Sequence, residues 1–119
     1  MTVNEAIMAA DELRPNVFSE DVKIAWLSEL DGKIAQEVYK RKDIPVYEYT
    51  EDGESELLVA HPHSDIYPLY LVAMIDFYNQ DIVSYQNAMN MFNSKYDIFA
   101  KWYIRNNMPD SSGGFKNFF

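Results

Sequence analysis

The chain contains no cysteine. Disulfides, thiolate nucleophiles and sulfur-rich zinc sites are excluded together, and hydrophobic burial is left to carry stability. Positive charge is scarce as well: ten Lys and Arg against nineteen Asp and Glu give a formal charge of −9. Such a balance opposes wrapping of a phosphate backbone, so sequence-specific nucleic-acid binding is not expected. Long hydrophobic runs are missing. The longest, Leu69 to Ile75, contains Tyr70 and ends at Asp76, well short of the roughly 18 apolar residues of a membrane span. The opening Met1-Thr2-Val3-Asn4-Glu5 has no basic region followed by an apolar stretch, so neither secretion nor organelle import is signalled and a cytoplasmic location is expected. No glycine-rich phosphate loop is present.

What the chain does have is apolar and aromatic content, 48% and 15% of 119 residues, enough for one closed core and one domain over residues 1–109. Thr2 with Glu5 three residues later is a capping-box pattern, and Val3, Ile7, Ala10 and Leu13 recur at helical spacing until Pro15. Ser19, followed by Glu20 and Asp21, caps a second helix. In it Val22, Trp26, Leu30, Ile34 and Val38 step by four as far as about Lys42, where Lys40-Arg41-Lys42 offsets the helix dipole. Gly32 inside that helix predicts either a bend or a close approach by a neighbouring element.

After Pro45 the period falls to two. Val46 to Thr50 and Glu56 to Ala60, around the turn residues Glu51 to Glu54, predict a short β-hairpin that leans on the helices or pairs with another subunit. Ser64 or Asp65 then caps a third helix, with Pro68 in its first turn. From Leu71 the series Ile75, Tyr78, Ile82, Tyr85, Met89, Phe92, Tyr96, Phe99, Tyr103 advances by fours and threes. One unbroken helix would outgrow a domain of this size, so a break is placed at Asn79-Gln80-Asp81, with Asp81 capping a fourth helix; a single projecting helix is the alternative. The expected fold is therefore mainly α, a bundle of about four helices with a hairpin insertion between the second and third. Residues 110–119 read as a flexible tether, Asp110 to Gly114, ending in Phe115-Lys116-Asn117-Phe118-Phe119.

Candidate chemistry is thin. His61, His63 and Asp65 are the only crowded metal-ligand types, but Pro62 between the histidines and the lack of a second cluster make them a loop entering a helix cap. Ser64, His61 and Asp65 lack the glycine-flanked turn of a hydrolase nucleophile. Glu51, Asp52, Glu54 and Glu56 read as solvated turn charges. Neither cofactor nor metal nor catalysis is expected. The candidate contact residues are Phe115, Phe118 and Phe119 as apolar anchors, with Tyr47 and Tyr49 on the hairpin edge.

The stretches WLSELDGKI at 26–34, PLYLVAMIDFYN at 68–79, YQNAMNMFNSKY at 85–96 and AKWYIR at 100–105 resemble the small head–tail connector (adaptor) proteins of bacteriophages and prophages of Gram-positive bacteria. The resemblance implies a structural subunit that forms a ring, commonly twelve-fold, under the capsid portal. Its partners would be copies of itself and neighbouring portal and tail proteins, and its locations the host cytoplasm during assembly and then the virion head–tail junction. An acidic lumen that does not bind the passing genome suits the charge. The charge equally permits an acidic DNA mimic that blocks a nucleic-acid-binding protein.

Overall fold

In the computed structural model, which describes residues 1–48 and 52–107, four helices follow one another: α1 (Val3–Leu13), α2 (Glu20–Lys33), α3 (Ile66–Tyr78) and α4 (Ile82–Asn106). α1 starts on the expected capping box: the Thr2 side chain accepts from the Glu5 amide, and the Glu5 carboxylate accepts from the Thr2 amide. α2 begins after Ser19, whose hydroxyl hydrogen-bonds the Asp21 carboxylate instead of capping an amide.

The second helix ends earlier than Lys42. Ile34–Val38 continues α2 as a π-helical turn, and Lys40 adopts a left-handed backbone at φ 58°. The Arg41 amide then reaches back six positions to the Ala35 carbonyl, one residue wider than the 6→1 closure that usually stops an α-helix with Gly at the left-handed position. Gly32 marks a close approach, since a Cβ there would lie 3.0 Å from Ile44 Cγ2.

The break between α3 and α4 falls where it is expected. Gln80 turns the chain at φ 61°, and the Asp81 carboxylate accepts from the Ser84 amide to cap α4. The two helices fold into an antiparallel hairpin whose register is set by rings. Phe77 meets Tyr85 at 5.2 Å, Tyr70 meets Phe92 at 5.2 Å, and His63, just ahead of α3, meets Phe99 at 5.7 Å. These pairs step by seven on both arms, as in a coiled coil. α3 is apolar on nearly every side because α1, α2 and α4 all pack on it.

The β-hairpin is not formed: the described residues contain no strand. Tyr49, Thr50 and Glu51 lie outside the described residues, but three successive amides of the second predicted strand have other partners. Thr2 and Glu56 make an isolated antiparallel bridge, and the Leu57 amide donates to the Met1 carbonyl. The Leu58 amide donates to the Asp31 carboxylate, and the Val59 amide to the Tyr67 hydroxyl. The alternation is real, since Leu57 and Val59 are buried, but it packs a loop onto helices. A single hydrophobic cluster joins residues from all four helices and this loop.

Candidate interaction surface

Of the contact residues singled out in the sequence, only Tyr47 lies among the described residues. Phe115, Phe118, Phe119 and Tyr49 lie outside the described residues. Tyr47 is half-buried, and its hydroxyl donates to Asp31 Oδ2 at 2.6 Å, so its polar end faces inward. His63 packs on Phe99 and, at 4.8 Å, on Trp102. The Asp65 carboxylate pairs with Lys95 at 3.5 Å and not with a neighbouring histidine or serine. Among the described residues no group of three His, Cys, Asp or Glu side chains could hold a metal. The turn carboxylates are not merely solvated. Asp52 accepts from the Glu48 amide and the Ser55 hydroxyl, Glu54 from the Asn4 side chain, and Glu56 pairs with the Met1 amino group at 3.0 Å.

Two carboxylates that sequence reasoning passed over organise the interior. Asp31, fully buried, accepts from the Tyr67 hydroxyl at 2.6 Å, the Tyr47 hydroxyl at 2.6 Å and the Leu58 amide at 3.0 Å. Burial pushes its pKa up, and these three donors pull against that shift. Both phenols are raised far above their ordinary range by burial, with the Asp31 charge adding to it, so they stay neutral donors. The signal in the sequence was an acid four residues after Leu27 on the apolar face of α2.

Asp76, on α3, is also buried, with Arg14 Nε 2.9 Å from Oδ1 at an angle that makes an ion pair without a well-formed hydrogen bond; its Oδ2 has no partner among the described residues. Desolvation raises its pKa, the nearby Arg14 lowers it, and Asp81 adds to the rise. The native state therefore holds this proton more tightly than the unfolded chain. The corresponding part of the stability is fully present below the ordinary Asp pKa and is lost as pH rises through the folded value. Asp76→Asn is expected to flatten the stability profile above pH ~4, read as urea midpoints across pH. An unchanged slope would contradict the assignment.

The outer surface divides into an acidic region and apolar ones. Glu5, Asp11, Glu20, Glu54 and Glu56 surround a cleft of about 650 Å³ beside α1. α4 is 25 residues long, yet only Phe92 and Phe99 on it are buried. Val83 (69% exposed), Met91, Ile98 (57% exposed), Trp102 and Ile104 lie on its open sides. A helix carrying that much exposed apolar surface fits contact with another protein better than contact with water. Beside it runs a groove, because α1 and α4 both rest on α3 but not on each other. Leu13 and Met91 form its walls and Leu69 its floor. Among the described residues no helix is long and apolar enough to cross a membrane.

No protein family's model matches this chain, and no curated protein or solved structure matches it significantly.

Proposed function

We propose that the chain is a structural assembly subunit that acts by binding copies of itself and neighbouring proteins, without catalysis. Its specific role is that of a phage or prophage head–tail connector, a ring component at the portal–tail junction. The observation that carries this reading is the exposed apolar surface of α4, set on a helix clamped to α3 and the turn before it by three ring pairs. Heterologous contacts that close a ring need such a rigid, apolar patch on one side of the subunit. The resemblance in residues 26–34, 68–79, 85–96 and 100–105 supplies the connector assignment, and the net charge of −9 suits a lumen that lets a genome pass.

The test is mass by light scattering across protein concentration, for the full chain alone and mixed with a portal ring. Val83→Asp/Ile104→Asp is the matched variant, since both side chains are exposed and lie outside the hydrophobic cluster. Concentration-dependent oligomers or ring binding, lost in the variant and little affected by salt, are expected. A monomer throughout, with no ring binding, would reject the connector role.

The acidic cleft beside α1 favours a second reading, the DNA mimic. That protein would bind a basic partner in competition with DNA and weaken steeply with salt.

A further inference from the structure

The groove between α1 and α4 is not isolated on the surface. On α4, Met91, Ile98 and Trp102 follow one another at intervals of seven and four. At 100° per residue this puts them within a strip about 40° wide, on the flank of the helix next to its buried side. The strip runs from the groove wall toward Asn107, where the described part of α4's chain ends. Met91 is 55% exposed and Leu13, across the groove, 61%. An apolar track therefore joins the point where the remaining chain departs to a groove of about 610 Å³.

We propose that Phe115, Phe118 and Phe119 fold back along this track and seat in the groove of their own chain. Chain length permits it. Met91 lies about 24 Å back along the helix from Asn107 at 1.5 Å per residue. The eight residues from Asn107 to Phe115 span up to about 27 Å when extended, and Phe118 and Phe119 reach further. Composition favours it: three phenylalanines follow Gly113-Gly114, and each buries about 150–250 Å² when covered. Glu12 on the groove rim is opposite in charge to Lys116 between the anchors. Tethering favours the chain's own segment over a second copy, because a short linker supplies an effective concentration of about millimolar order. The inference stands whether or not the protein assembles into a ring.

The absence of cysteine gives a clean test in the full chain. Met91→Cys is paired with Asn117→Cys, which leaves all three phenylalanines in place. The control pair is Gln86→Cys with Asn117→Cys, since Gln86 is exposed and about 140° round α4 from Met91. With oxidised glutathione as oxidant, the Met91 pair is expected to form an intramolecular disulfide at least about ten-fold faster than the control. Phe115→Ser/Phe118→Ser/Phe119→Ser should abolish that preference. Equal rates in the two pairs, or a preference that survives the triple change, would overturn the proposal. Disulfide-linked dimers as the main product would overturn it too, by giving the groove to a second copy.

Discussion

Asp31→Ala is expected to lower unfolding stability by about 3–5 kcal/mol, because each buried donor left unpaired costs about 1–3 kcal/mol and the three it strands are not independent. The carboxylate joins parts of the chain that have no ladder or helix in common. Through Oδ1 it holds Tyr67, on α3, whose hydroxyl in turn accepts from the Val59 amide at 2.8 Å. Through Oδ2 it holds Tyr47 and the Leu58 amide, fixing two points within the loop between α2 and α3. Its loss should loosen this loop before the helices. Amide exchange at Leu58 and Val59 should then accelerate well beyond that of α3 residues such as Leu71. Asp31→Asn keeps one acceptor oxygen and should cost less. A urea midpoint corresponding to under about 1 kcal/mol for Asp31→Ala, with Leu58 still protected, would show that the clasp is dispensable.

The second large effect is expected at Phe99. This side chain is buried, and the rings of Tyr39, His63, Tyr96 and Tyr103 surround it at centroid distances of 5.7 to 6.3 Å. Phe99→Ala removes the common neighbour of four rings and should cost about 3–5 kcal/mol, with Phe99→Leu milder. Thermal melting gives the loss, and near-ultraviolet circular dichroism should report the unpacked rings. A melting temperature within error of the unmodified chain would remove Phe99 from the core. The two substitutions are also coupled. Tyr39, in contact with Phe99, donates its hydroxyl to the Leu58 carbonyl at 3.2 Å, while Asp31 holds the Leu58 amide. The double variant should therefore lose less than the two single losses added together.

The helices were legible where local chemistry decides. Thr2 with Glu5 announced the start of α1, and Asp81 the start of α4, because a capping side chain acts within three residues of itself. The end of α2 was hidden by a substitution of type: Lys40 holds the left-handed position where glycine or asparagine is the usual signal. The segment after Pro45 shows a different limit. Its two-residue period correctly sends Leu57 and Val59 inward, but periodicity carries no information about which group accepts each amide. Here the acceptors are Asp31, Tyr67 and Met1, up to 56 positions away by the Leu57 to Met1 bond. The contact surface was less legible still. Tyr47 reads in the sequence as an edge residue and proves to be an inward donor, while Met91 and Leu13 look like ordinary helix apolars until α1 and α4 fail to meet. Exposure of that kind follows from how three helices are arranged, which no one helix's sequence encodes.

The ring ladder between α3 and α4 also sets how the molecule can change length. Adding one residue to α4 alone would turn everything beyond it by 100°, swinging Phe99 away from His63 and bringing the Ile98 and Trp102 flank against α3 in its place. Adding seven to each arm would restore every pairing, one rung longer. The hairpin can therefore accept insertions or deletions only as matched heptads. Related chains of different size should place their extra residues there in sevens, and put any other number in the loop between α2 and α3.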